Sequence, residues 1–336
     1  MRNSSPTGSR RIAVTLGDPG GIGPEVVVRA LADDSLRMSS KWVLIGPEKA
    51  FRRALRGTKV ELSYTVYSKV LPDIGDSEEI VLLDPSLAEP IPELGASSRN
   101  GGLWAATSIE CAVDLALRGV AQALTTAPIS KTNLAASGRN YPGHTEMLAA
   151  LCGVKYPLML LVSGSMRVAL FTRHISLRSV FRNLKQRSLI DTIELVSREL
   201  GVEFGISNPR IAVLALNPHC GEGGLFGVEE IRVIGPAVAK AASRGISAFG
   251  PISADTAFTP ESLARCDCIL AMYHDQGLGP FKALAFQHGV NVTLNLPFPR
   301  TSPDHGTAFD RAPRFSADPT SMRDALRLAI SFVEGK

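Results

Sequence analysis

Long apolar runs are missing from this 336-residue chain. Stretches such as Pro157–Val162 are far too short to cross a bilayer, so a membrane protein is not expected. The opening MRNSSPTGSRR has no apolar core behind its charges; it reads as a disordered tail over residues 1–10, not as a secretory leader. Cysteine is sparse and irregular: Cys111, Cys152, Cys220, Cys266 and Cys268 are odd in number. Cys266 and Cys268 lack the two-residue gap of zinc and thioredoxin motifs, so the thiols read as reduced and the protein as cytoplasmic. A basic stripe is also absent. Thirty-six Lys and Arg against 32 Asp and Glu leave +4, scattered along the chain, and no nucleic-acid partner is expected. Internal repeats and low-complexity tracts do not occur.

What is present is an ordinary globular composition, 45% hydrophobic and 20% charged, in a chain longer than one core usually serves. Short apolar runs alternate with amphipathic stretches. The runs predict strands at 11–17, 41–46, 61–68, 79–84, 122–127, 158–164, 167–172, 210–216, 267–273 and 290–296. Helices are predicted at 24–38, 47–57, 102–118, 145–152, 188–204, 228–244 and 322–334. Continuously apolar strands followed by helices imply a largely parallel sheet covered on both faces, so the fold class is α/β. In the 228–244 helix, Val228, Ile231, Ile234, Val238 and Ala241 form a stripe that belongs to core or to a subunit interface. Proline and glycine crowd 85–101 and 297–320, which marks long connections.

The six histidines concentrate the chemistry. His174 (FTRHISLR), His219 (LNPHCGEGG) and His274 (MYHDQG) each come just past an apolar strand, while His144 lies in PGHTE, His305 in SPDHGTA and His288 in FQHGVN. Open α/β sheets place ligands beyond the carboxyl ends of their strands, so the first three are candidates for one metal ion, with zinc a suitable borderline cation. A single histidine at a strand end is more often structural, and three in equivalent positions shift that balance. Asp255 (ISADTAF) and Asp275 are carboxylates that orient such imidazoles or cap helices. Lys131, Lys282 and Arg300 are solvated singly, but as a set they suggest an anionic substrate. The turn TLGDPGGIGPEV, residues 15–26, does not satisfy G-x-G-x-x-G, because Val26 stands where the last glycine is needed.

GDPGGIGPE, APISK with GHTE, LNPHCGEGG, YHDQGL with its lysine, GVNVTL and RTSPDHGTA occur together and in order, from about residue 11 to 310. In this the chain resembles the 4-hydroxythreonine-4-phosphate dehydrogenase family of vitamin B6 (pyridoxine) synthesis. The resemblance implies two α/β/α domains with a cleft between them, as in isocitrate and isopropylmalate dehydrogenases. They would comprise 11–130 plus about 305–336, and about 131–304, the second carrying the metal ligands and dimer interface. It implies metal ligands at His174, His219 and His274, the last supplied by the partner subunit of a homodimer. Substrate contacts fall on His144, Thr145, Lys282, Asn291 and Arg300. The cofactors implied are NAD or NADP, with no binding residues assigned, and a divalent metal (Zn, Mg or Co).

The implied reaction oxidises 4-hydroxythreonine 4-phosphate at C3 and releases carbon dioxide to give 3-amino-2-oxopropyl phosphate. Asp255, Lys282 and His144 are the candidate catalytic residues; Asp255, His144 and a metal-bound hydroxide stand as alternatives for the general base. Arg311-Ala312-Pro313-Arg314, Asn295, Pro299 and Cys220 depart from the usual family pattern. Two of these flank Arg300, so a related four-carbon sugar-acid phosphate, threonate or erythronate 4-phosphate, is an alternative substrate. A three-histidine lyase or aldolase without nicotinamide is an alternative of another class, and a non-enzymatic binding protein a further one.

Overall fold

The computed structural model describes residues 10–70 and 78–335, so the expected tail lies outside the described residues except for Arg10. The chain forms two compact units: residues up to Pro157 with Val290–Glu334, and Leu158–Gly289.

The first unit begins with β1 (Arg11–Thr15), β2 (Lys41–Ile45), β3 (Thr65–Ser68), β4 (Ile80–Asp84) and β5 (Ala123–Thr126). The second holds β6 (Leu158–Ser163), β7 (Met166–Leu170), β8 (Ile211–Leu214), β9 (Ala248–Ile252) and β10 (Cys268–Ala271). The chain then returns to the first unit as β11 (Val290–Leu294) and β12 (Arg300–Pro303). Strand order in the first unit is β3-β4-β2-β1-β5-β12-β11, parallel throughout except for the β11–β12 pair. In the second it is β6-β7-β10-β8-β9, parallel except for β6–β7.

The strands are apolar on both faces because both are buried. Ile12 and Val14 of β1 join one core cluster with Val26, Val27 and Leu31 of the helix Gly23–Leu31, and Ala13 between them joins another with Ile109, Ala112 and Val113. Two-residue alternation thus sends successive side chains to opposite layers. The helix Arg99–Leu117 supplies the second layer, together with Leu134 and with Met147 and Leu148 of His144–Leu151. This packing holds residues 131–157 in the first unit, and strand pairing of β12 with β5 holds 290–304 there. The expected boundaries near 131 and 304 therefore differ from the observed ones: the second unit is shorter at both ends, and His144, Thr145, Asn291 and Arg300 belong to the first.

Other expectations shift for local reasons. The single helix expected at 24–38 is interrupted by Asp33, whose carboxylate accepts from the Ser35 and Leu36 amides and starts a new turn, Asp34–Arg37. The 228–244 helix opens with a π-helical turn, Glu230–Ile234, before Gly235–Ala242. The wider turn breaks the stripe's spacing: Ile234, Val238 and Ala241 are buried, but Ile231 is 56% exposed.

The glycines of residues 15–26 serve the chain itself. A Cβ on Gly23 would collide with the Leu16 carbonyl, and one on Gly20 with the carbonyl of Ala96. The turn is closed by Asp18, fully buried, which accepts from the Gly20 amide at 3.0 Å and from Asn133 Nδ2 at 2.8 Å. These close approaches are to backbone, so the glycines pack the turn between β1 and its helix. Gly23→Ala is therefore expected to destabilise the protein by about 1–3 kcal/mol through overpacking, read as a lower denaturation midpoint in urea; an unchanged midpoint would contradict this.

Candidate active site

Three adjacent parallel strands carry the three strand-end histidines. β7 pairs with β10 and β10 with β8, so the segments after them leave the same edge of the second unit's sheet, side by side. His274 follows the middle strand and opens the helix His274–Ala285; His174 and His219 follow the outer two. Neighbouring strands lie about 4.8 Å apart, which is what sets residues so distant in sequence along one sheet edge.

Side-chain hydrogen bonds fasten these ends together. Thr172, just before His174, donates its hydroxyl to the Met272 carbonyl at 2.7 Å. The Met272 amide donates to Gln276 Oε1 at 2.7 Å, and Gln276 Nε2 donates to the Ala215 carbonyl at 2.6 Å. Gln276 is 7% exposed, so a buried amide links the end of β10 to the end of β8. The sequence offered Gln276 only as a neighbour of His274 in YHDQG; its bridging role depends on which strands are adjacent.

His174 and His274 come together, with ring centroids 5.6 Å apart and planes tilted by 44°. His274 Nδ1 lies 2.7 Å from Asp275 Oδ1, a carboxylate placed to fix the ring's orientation. His219 is exposed beyond β8, with the Phe226 ring at 6.5 Å. Asp255 is exposed, and hydrogen bonding to Ser253, reinforced by the charge of His219, holds its carboxyl below the usual range. Among the described residues, no group of three or more His, Cys, Asp or Glu is arranged within the chain to hold a metal ion. Lys282 is half-buried on the same helix as His274, its Nζ 5.6 Å from the Phe286 ring.

A second constellation lies in the first unit. Arg300, at the start of β12, is 1% exposed. Its Nη1 donates to the Thr293 hydroxyl at 3.0 Å and its Nη2 to the Thr126 hydroxyl, while Nε is buried with no acceptor. Burial pushes the guanidinium pKa down to about 9, against the opposing attraction of Glu146. The Thr126 and Thr293 contacts carry no sequence signal that would have announced them.

His144 begins its helix with Nε2 buried and unpaired. Burial first, then the charges of Arg300 and Lys131, hold its imidazole well below the ordinary pKa, so it is neutral at physiological pH. Thr145 beside it is 7% exposed, and Asn291 on β11 has its Oδ1 buried without a donor. The expected substrate set is thus divided: His144, Thr145, Asn291 and Arg300 in the first unit, Lys282 and Asp255 in the second with the histidine triplet. No helix among the described residues is long and apolar enough to cross a membrane.

A fold of two α/β units, strand-end histidines and a buried cation with polar neighbours defines an enzyme-like class of site. Comparison with known proteins makes the class specific. A profile of the family described as "Pyridoxal phosphate biosynthetic protein PdxA" matches residues 38–329, and the chain belongs to that family. It is 42% identical to a 4-hydroxythreonine-4-phosphate dehydrogenase of Trichlorobacter lovleyi, over 95% of this chain and 96% of that protein. A D-threonate 4-phosphate dehydrogenase of Salmonella typhimurium is 39% identical, over 96% and 98%. The crystal structure of a 4-hydroxythreonine-4-phosphate dehydrogenase from Klebsiella pneumoniae superposes with a TM-score of 0.85 at 39% identity, covering 98% of this chain and 99% of that one.

The neutral state of His144 has a consequence for acid stability. The unfolded chain binds a proton at His144 near the ordinary pKa of about 6.5, while the folded chain does not. Stability then falls as pH drops below that value, by up to about 1.4 kcal/mol per pH unit. His144→Gln should lose less stability than wild type between pH 7 and 5, measured by denaturant unfolding; equal losses would contradict the assignment.

Proposed function

We propose that this protein is a nicotinamide- and metal-dependent dehydrogenase that oxidises 4-hydroxythreonine 4-phosphate at C3. Carbon dioxide is then lost to give 3-amino-2-oxopropyl phosphate, a step of pyridoxine synthesis in the cytoplasm. The observation that carries the substrate class is Arg300. A fully buried guanidinium whose hydrogen bonds go to two threonine hydroxyls, with Glu146 as the opposing charge, still has its Nε buried without an acceptor. Such a group suits a phosphate or carboxylate, to which it donates with two parallel bonds. His144 Nε2 and Asn291 Oδ1, buried without partners, supply further polar contacts for the same substrate. Neutral His144 is able to accept a proton, and Thr145 and Lys282 complete the polar contacts.

His174, His219 and His274 would hold the divalent ion, Zn, Mg or Co. Bound there, it would supply positive charge to stabilise the C3 oxygen as its hydroxyl proton leaves. Neutral imidazoles suit that task because they leave the ion its full charge. Asp255, ionised and near His219, is available either to orient that ring or to take up the C3 hydroxyl proton. Hydride acceptance belongs to the nicotinamide, NAD or NADP, an assignment supported by the dehydrogenase names of the relatives and not by the 15–26 turn.

A second substrate has one specific support. The D-threonate 4-phosphate relative is nearly as similar as the 4-hydroxythreonine 4-phosphate ones. Purified protein with NAD or NADP, a divalent metal and each phosphate is expected to form reduced nicotinamide with 4-hydroxythreonine 4-phosphate. Faster reduction with threonate 4-phosphate would transfer the assignment, and metal-dependent cleavage without any reduction would indicate the lyase. Arg300→Met should raise KM by roughly 10- to 150-fold, the loss of about 1.5–3 kcal/mol of charged hydrogen bonding. An unchanged KM would take Arg300 out of the substrate site.

We also propose a homodimer whose active sites are shared, with His274 contributed across the interface. Exposed apolar side chains follow the histidines in the chain: Ile175 and Leu177 after His174, Leu225 and Phe226 after His219, and Leu284 and Phe286 at the far end of the helix that His274 opens. Such a concentration suits burial against a second copy. Mixing inactive His174→Ala and His274→Ala proteins should restore partial activity; no recovery after confirmed subunit exchange would place both histidines in one chain's site.

A further inference from the structure

The turn that carries His219 is left-handed for five residues in succession. The φ angles are 50° at His219, 55° at Cys220, 78° at Gly221, 44° at Glu222 and 65° at Gly223. Left-handed backbone is adopted by side-chain-bearing residues singly and at a cost, not in runs. Three of these five carry side chains. A run of this kind persists only where its surroundings over-determine it.

Within the turn the Cys220 thiol donates to the Pro251 carbonyl at 3.5 Å, and the segment that leads into it is held by one buried carboxylate. Glu230, 4% exposed, accepts from the backbone amides of Leu216 and Asn217 through Oε1, both at 2.8 Å. Its Oε2 accepts from Asn217 Nδ2 at 2.9 Å. The same amide nitrogen donates to Glu229 Oε2 at 2.7 Å, which also accepts from the Val228 amide at 3.0 Å. The Asn217 side chain therefore stands between two carboxylates and spends one hydrogen on each. On the far side, Phe226 N donates to the Gly221 carbonyl at 3.1 Å and Leu225 N to that of Glu222 at 3.2 Å. Gly227 lies against the Asn217 side chain so closely that a Cβ would collide with it. Glu230 itself opens the π-helical turn Glu230–Ile234, an irregularity that frequently accompanies functional sites.

We propose that Glu230, acting through Asn217 and the backbone of residues 216–217, is a positioning residue for His219. It fixes where the left-handed turn leaves β8 and hence where the imidazole is presented to a divalent ion. The role rests on the reading of His219 as a metal ligand. Glu230 itself touches neither His219 nor substrate in this account; it sets the path of the backbone that does.

Divalent cobalt titrated into wild type, Glu230→Gln and Glu230→Ala tests this, followed by calorimetry and by the ion's visible absorption. Circular dichroism confirms that each variant is folded. Glu230→Ala should bind cobalt roughly 10- to 100-fold more weakly, the usual range for groups that orient metal ligands, with an altered absorption band. Glu230→Gln keeps an oxygen for the two backbone amides and should retain more affinity than Glu230→Ala. Folded Glu230→Ala with affinity within about twofold of wild type and an unaltered band would overturn the positioning role while leaving the metal reading intact. Wild type that binds no cobalt would overturn the metal reading and the role together. Should Glu230→Ala not be recovered folded, Asn217→Ala, which leaves the two carboxylates facing each other without their shared donor, is judged by the same criteria.

Discussion

The placement of the three strand-end histidines depends on the parallel pairing of β7, β10 and β8. These short strands put three histidines, 100 residues apart from first to last, at one sheet edge. Parallel pairing alone fixes strand register to the last ladder bond, and beyond it the chain is free to diverge. The backbone of Met272 prevents that: its carbonyl receives Thr172 and its amide is held by Gln276, which also reaches Ala215. Because these groups are buried, breaking either bridge would strand a polar group away from water, a penalty of roughly 1–3 kcal/mol per group. The three strand ends are therefore tied to one another before any ligand arrives.

The first unit applies the opposite strategy. There the polar groups are left under-satisfied: a buried guanidinium bonded to hydroxyls, a neutral imidazole with an unpaired nitrogen, and an asparagine oxygen without a donor. Native interiors rarely tolerate such groups without a reason. An anionic substrate that supplies the missing partners is a sufficient one. Burial first, and then the charge of Arg300, keeps the His144 imidazole neutral.

Much of this was legible in the sequence because the strands are buried on both faces and show as continuous apolar runs. The histidines were legible for the same reason: an apolar run fixes where its strand ends, and the residue after it stands at the sheet edge. What was not legible depends on pairing between distant segments. β12 begins at an arginine and is only four residues long, so nothing local marks RTSP as a strand beside β5. The helix His274–Ala285 contains Gly277, Gly279 and Pro280, poor helix formers that hide it from propensity. Glu230 and Gln276 looked like ordinary polar positions, and only their burial reveals what they hold. Asn295, one of the departures from the usual family pattern, has a φ of 67°, a left-handed conformation that asparagine tolerates.

The central claim is that the three strand-end histidines jointly ligate one divalent ion in a dehydrogenase. X-ray absorption at the metal edge of zinc- or cobalt-loaded protein tests it most directly. The account predicts three imidazole nitrogens at about 2.0–2.1 Å, reduced to two in His219→Ala. A shell of oxygen ligands alone, or one unaltered by His219→Ala, would contradict it.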